Sequence, residues 1–242
     1  MLFRSLLGYP DRAISSANEA VNLANQSAHP FTREIALEYA AHVHLHRREP
    51  EVALAHLLAV DKLRVEQRVS FVIEPAFMSA AVLLAQGDFV SAAARLRETF
   101  VPGGLRAIAW QPYGRTILAE ALTRLGDYAE AEASLRQGFD RVEASGERVW
   151  ESELHRINSL VLLAENRIEE ACVSLQEALA VARRQQAKSL ELRAAMDLAR
   201  LWGEQGRREE AHEMLAPVYG WFTEGFDTAD LKDAKVLLDA LM

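Results

Sequence analysis

The sequence predicts an all-α solenoid of stacked helical hairpins, and three observations predict it. A short pattern recurs about every 40 residues, apolar residues recur at helical spacing, and the 242 residues include 40 alanines against 12 glycines and 7 prolines. Alanine is the best helix former and lets neighbouring backbones approach closely. Self-similarity at a fixed period is the signature of a repeat array, in which each hairpin buries its apolar face on its neighbours. The hydrophobic fraction of 50% and charged fraction of 26% are those of an ordinary folded chain.

The recurring pattern is a Gly or a substitute, an Ala five residues later, and usually a Leu four residues after that. The turn positions are Gly8, Arg48, Gly87, Gly126, Asn166 and Gly206, and the alanines are Ala13, Ala53, Ala92, Ala131, Ala171 and Ala211. Residues i and i+4 stack on one helical face, so Ala17, Leu57, Leu96, Leu135, Leu175 and Leu215 continue the face of those alanines. Seven residues before the turns sit Ala41, Ala80, Ala119, Ser159 and Ala199, small enough for paired helices to touch. Sixteen before come Phe71, Trp110, Trp150 and Leu190, with Phe31 one residue out of phase, to fill the gaps between hairpins. Gly and Asn suit these turns because a left-handed residue commonly ends a helix. His42-Val43-His44-Leu45-His46 alternates as a strand would, but it lies in phase with the other first helices and is read as helix.

One array is therefore expected over residues 1–242, with six units turning near 8, 48, 87, 126, 166 and 206 and a capping helix over about 228–241. Asp227 or Thr228 is expected to cap that last helix, which carries Leu231, Ala234, Leu238 and Leu241 on one face. Tyr219, Trp221, Phe222 and Phe226 are expected to dock it on the last repeat. The first unit looks truncated: only Met1 to Leu7 stands where a first helix of about 15 residues is expected. Each exposed Leu or Ile there forfeits about 1.5–3 kcal/mol, which predicts a frayed, sticky end and self-association through it.

Composition and motif content narrow the function. The formal charge of -8 offers nucleic acid no overall attraction, and no apolar run approaches a membrane span. The single Cys172 excludes an intramolecular disulfide and fits a reducing cytoplasm. No Walker loop, Gly-x-Ser-x-Gly elbow, His-Glu-x-x-His helix or EF-hand loop occurs, and the Gly-rich Pro102-Gly103-Gly104-Leu105 lacks the lysine that a phosphate loop needs. His42 and His46 stand at i and i+4, a spacing that can chelate zinc or nickel. Packing for His44 and a helix-end position for the other two are the preferred reading. No cofactor, metal or catalytic residue is assigned.

The small residue, turn, Ala and Leu in this order resemble the tetratricopeptide repeat, whose hairpins stack into a right-handed superhelix with a concave groove. The period departs from the usual 34 residues, which implies longer helices. A narrower resemblance lies in Gly146-Glu147-Arg148-Val149-Trp150-Glu151-Ser152-Glu153-Leu154-His155-Arg156, in Ala187-Lys188-Ser189-Leu190-Glu191-Leu192-Arg193-Ala194-Ala195, and in the tail from Leu215 to Thr228. These stretches, with Leu6-Leu7-Gly8-Tyr9-Pro10-Asp11 and His44 to Glu49, are similar to the C-terminal repeat region of large bacterial signalling proteins. In that family a class III adenylate or guanylate cyclase domain, or a transcription-activator domain, precedes an ATPase module and then the repeats.

The tetratricopeptide resemblance implies that first helices line the concave face. The phase then turns Glu38, His42, Glu74, Phe77, Tyr113, Thr116, Glu120, Arg124, Glu153, Arg156, Arg193, Met196 and Arg200 toward it, acidic early and arginine-rich late. Arg156, Arg193 and Arg200 are of the type that holds a carboxylate by paired hydrogen bonds. The expected function is a non-catalytic protein-interaction or regulatory arm, with a protein, a peptide or other domains of one polypeptide as partner. The alternatives are a ligand-sensing repeat domain of a transcription regulator and a free-standing adaptor. The groove residues assigned to partner binding are Glu74, Phe77, Tyr113, Glu120, Arg124, Arg156, Arg193 and Arg200.

Overall fold

In a computed structural model of the chain, residues 1–27, 29–67, 76–100 and 110–242 are described. They hold thirteen helices and no strand. In chain order these are α1 (Leu2–Leu6), α2 (Pro10–Ser27), α3 (Pro30–His46), α4 (Pro50–Gln67), α5 (Ala76–Ala85), α6 (Phe89–Thr99) and α7 (Gln111–Leu125). There follow α8 (Tyr128–Ser145), α9 (Glu151–Ala164), α10 (Ile168–Arg184), α11 (Lys188–Glu204), α12 (Arg208–Gly220) and α13 (Ala229–Leu241).

The hairpin turns reverse at residues with positive φ: Gly8, Arg48, Gly87, Gly126, Asn166 and Gly206. At Gly126 the local pattern is complete, with Gly126 N–H donating to Thr123 O at 3.2 Å and Asp127 N–H to Leu122 O at 2.9 Å, so two carbonyls at the end of α7 find partners. Asp127 and Asp88 then accept from the amides of Glu130 and Ser91, starting α8 and α6. The phased alanines Ala13, Ala53, Ala92, Ala131, Ala171 and Ala211 have no exposed surface, and there the two helices of each hairpin touch.

The odd-numbered helices form an inner layer in which each packs on the next, α1 on α3 and so on to α11 on α13, while the even-numbered helices pack outside them. The layer closes on itself, because α1 also packs on α11. This closure overturns the expectation of a sticky N-terminal edge. Leu2 and Leu6 are only 2% and 4% exposed, in one apolar cluster with Ala187 and Leu190 of the fifth full hairpin. The physical reason is curvature: six hairpins bring the last one round to cover the first, a long-range consequence that no local pattern encodes.

Polar contacts seal the same seam. Ser189 Oγ donates to Ser5 O at 2.6 Å, and the amides of Asp11 and Arg12, in the first turn of α2, donate to Glu224 Oε1 at 3.1 and 3.0 Å. A carboxylate from the far end of the chain thus supplies the acceptor that the orphan amides of α2 require. The Arg47 guanidinium, 7% exposed, binds Asp227 at 2.7 Å, Glu49 at 2.9 Å and Asp11 at 3.3 Å. Gly8 lies so close to Trp221 and Lys188 that an added Cβ would come within 2.6 and 2.8 Å of them, and its φ of +92° already favours glycine.

Two details at the C-terminal end differ from expectation. Thr228 precedes α13 in an extended conformation, but its hydroxyl donates to Gly225 O rather than accepting from the helix, and Asp227 is drawn to Arg47. Trp221 docks on the first hairpin, beside Tyr9 at 5.5 Å between ring centroids, while Phe222 and α13 pack on α11 and α12.

Candidate functional site: the concave cavity

The inner layer surrounds a cavity of about 740 Å³. Of the residues expected in the groove, Tyr113, Thr116, Glu120, Arg124, Glu153, Arg156, Arg193, Met196 and Arg200 line it. They come from α7, α9 and α11, where the 3.6-residue period brings 113, 116, 117, 120 and 124 onto one face of a single helix. Glu74, like Phe71 and the Pro102–Leu105 stretch, lies outside the described residues. Phe77 does not reach the cavity; it is 3% exposed, packed against Phe100 and over Gly114, where a Cβ would sit 2.6 Å from its ring. Glu38 is buried against Arg64 of α4, and His42 stacks on Trp110 at 5.0 Å.

The arginines do not stand free, as the idea of an acidic ligand requires. Arg156 grips Glu153 with two nitrogens at 3.0 and 2.7 Å and Asp197 with a third at 2.9 Å. Arg200 binds the other oxygen of Asp197 at 2.7 Å. Arg193 binds Asp230 at 2.7 Å and donates to the carbonyl of His46 at 2.9 Å. Burial opposes ionisation of Glu153, but Arg156 and then Arg193 outweigh it and hold the carboxyl below its ordinary range. Buried charges persist only when paired in this way. The wall is electrically balanced, with Arg48, Arg124, Arg156, Arg193 and Arg200 facing Glu120, Glu153, Asp197, Asp230 and Asp233.

Reasoning on the sequence placed Glu120 and Glu153 in the groove but missed Asp197, Asp230 and Asp233, because phase identifies which residues share a face, not which ones meet across hairpins. Asp197, one residue beyond Met196, was the available signal. Asp230 and Asp233 come from α13, which packs on α11 and α12, and Asp230 meets Arg193 of α11 there; it is their pairing with Arg48 that depends on ring closure. Arg48 sits at the first full turn and pairs with both.

Beneath the charges lies an aromatic floor. Trp150, 1% exposed, stacks on His46 at 5.3 Å and on Tyr113 at 4.4 Å, and Tyr113 in turn meets His42 at 5.4 Å. His42 and His46 were expected near a helix end as favourable cations, and the structure corrects that. Burial drives the His42 pKa down to about 4, and burial, with Arg193 and His42 adding to it, pushes His46 well below its ordinary value. Neither ring nitrogen of His46 has a hydrogen-bond partner among the described residues. Burial likewise pushes the Tyr113 hydroxyl upward. The described residues hold no cluster of three or more His, Cys, Asp or Glu arranged for a metal, and no helix among them is long and apolar enough to cross a membrane.

Comparison with known families agrees with this geometry. The tetratricopeptide repeat model matches residues 75–98, 112–137 and 192–217. The latter two fall on the α7–α8 and α11–α12 hairpins, whose first helices carry the cavity wall. Residues 1–48 match the model for anaphase-promoting complex subunit 5. No curated protein gives a significant match. Repeats of this kind generally mediate protein–protein contact, and three stretches of the chain match the model for them.

Proposed function

We propose that the chain is a non-catalytic protein-interaction and regulatory module, the C-terminal sensing or scaffolding arm of a bacterial ATPase–nucleotide cyclase signalling protein that works in the cytoplasm. Its partner surface is the concave wall, with Tyr113, Glu120, Arg124, Arg156, Arg193 and Arg200 as the assigned residues. The observation that carries the interaction role is the concave cavity, faced by helices at which tetratricopeptide repeats are matched. The parent context rests on the sequence stretches around Trp150, Leu190 and Trp221 described above. A ligand in the wall would act on attached domains through its difference in affinity between closed and opened forms of the ring, since a ligand with equal affinity for both shifts nothing.

The reading frame upstream of Met1 in the source DNA tests the parent. The expected result is an open frame running through a Walker-loop ATPase into a class III cyclase domain. A frame leading into a helix-turn-helix domain would make the chain a sensing domain of a transcription regulator. A stop codon with a ribosome-binding site just before Met1 would make it a free-standing adaptor, and either result would overturn the cyclase reading.

A further inference from the structure

Among the described ion pairs of the cavity wall, those of Arg48 join the two ends of the chain. Arg156, Arg193 and Arg200 pair within or between α9, α11 and α13, which are neighbours in the layer. Arg48 stands in the turn between α3 and α4, and its Nη1 reaches Asp233 at 2.5 Å and Asp230 at 3.5 Å on α13. Arg47 of the same turn holds Asp227, so two consecutive arginines grip three aspartates at helical spacing around the start of α13. Arg47 is 7% exposed and Arg48 51% exposed, so water and solutes reach the second grip far more readily than the first. The backbone at Arg48 points the same way. Four of the six hairpin turns place Gly at the left-handed position and one places Asn, which tolerates it. Arg48 takes that conformation at φ +62°, where an ordinary side chain crowds its own backbone. A turn that only reverses the chain is better served by Gly or Asn, and here the strain is kept with a side chain that reaches across the seam.

We propose that Arg48 is the latch of the ring: paired with Asp230 and Asp233 it holds the α3–α4 turn on α13, and when those pairs part the two ends of the chain separate more readily while each hairpin keeps its own core. The grip is suited to opening, because an exposed ion pair is easily exchanged for water and Asp230 retains Arg193 as a partner when Arg48 lets go. Arg48, Asp230 and Asp233 also line the cavity. On the reading of the concave wall as the partner surface, on which this step rests, an occupant that takes any of the three shifts the balance between closed and opened ring. Arg48 is then the positioning residue through which occupancy of the wall is felt at the seam.

Hydrogen exchange at the amides of Asp11 and Arg12 in the whole chain tests the latch, because Glu224 holds both from the far end of the chain. Arg48→Asn removes the charge and suits the left-handed backbone better than arginine does. Exchange at the two amides is expected to rise about fivefold, the upper scale of a surface ion pair, while α9 and α10 keep the protection they have in the parent. Gly87→Asn places the same residue at the neighbouring turn, where an added Cβ meets nothing within 4 Å, and is expected to leave the seam unchanged. Arg48→Asp, which faces two aspartates, is expected to open the seam further, and Asp233→Arg added to it is expected to return exchange toward the parent rate. A plain turn residue would instead give unchanged or slower exchange in Arg48→Asn. That result, an equal rise in α9 and α10, or no recovery in the paired charge swap would overturn the latch. Failure of the latch leaves the wall as a partner surface, and none of these rates depends on the upstream frame, so the two readings fail separately.

Discussion

Replacing Trp150 with alanine is expected to cost about 3–5 kcal/mol of stability and to loosen the whole inner layer. The indole is the largest fully buried side chain, 1% exposed, at the entry to α9. It touches the rings of His46 on α3, Trp110 before α7 and Tyr113 on α7, so one side chain ties three hairpins together across the cavity floor. Alanine would leave a void between elements far apart in sequence, which the surrounding helices cannot fill without shifting relative to one another. Aromatic pairs contribute about 0.5–1.5 kcal/mol beyond area burial, and three such contacts are lost together. Urea unfolding monitored by helicity measures the change. A loss under about 1 kcal/mol would mean that Trp150 is not the keystone described, since that is the scale of an ordinary substitution.

Acid is expected to weaken the fold through the same floor. His42, 6% exposed, stacks between Trp110 and Tyr113 beside Glu38 and Tyr39, and burial lowers its pKa to about 4. An unfolded chain binds that proton near pH 6.5. The stability contributed by the neutral ring is therefore fully present above about pH 6.5 and is lost as pH falls toward 4, where the unfolded chain holds a proton that the folded one refuses. Across that interval His42 alone accounts for about 3 kcal/mol, and His46, lowered further by Arg193, acts in the same direction. Paired carboxylates such as Glu153 also lose their advantage in acid, so the histidine contribution needs a reference. A His42→Phe variant keeps a ring against Trp110 and Tyr113 without the titrating nitrogen. Its urea midpoint is expected to fall less steeply between pH 6.5 and 4 than that of the parent, and parallel profiles would contradict the buried, neutral His42.

Fold class was legible in the sequence because it rests on local rules. Turn residues, a small residue at each hairpin contact and 3.6-residue spacing recur in every unit, and repetition averages out the ambiguity of any single helix. The cavity wall was legible in part for the same reason, since residues such as Tyr113, Thr116, Glu120 and Arg124 follow from the phase of one helix. Closure was not. The pairing of Arg47 with Asp227, or of Glu224 with the first turn of α2, joins residues about as far apart as the chain allows and depends on small rotations summed over six hairpins. For that reason the arginines of α9 and α11 looked free in sequence and are engaged in the structure, and the first unit looked unpartnered and is covered. His42 and His46 were misread because a helix-end position favours a charged imidazole only where water reaches it, and the aromatic floor excludes water there.

Closure of the ring governs all of this: it defines the cavity, brings Arg48 to Asp230 and Asp233 and covers the apolar face of α1. The most direct test places cysteines at Ser5 and Ser189, where the Ser189 hydroxyl donates to the Ser5 carbonyl at 2.6 Å, in a background with Cys172→Ser, and exposes the dilute monomer to a mild oxidant so that a disulfide can form directly between them. A closed ring predicts rapid cross-linking within one chain, seen as a peptide pair joining α1 to α11 by mass spectrometry, while a control pair of Ser5 and Ser145 stays unlinked. Failure of the first pair to cross-link while each cysteine still reacts singly would show the two ends apart in solution, and would contradict the closed ring on which the cavity depends.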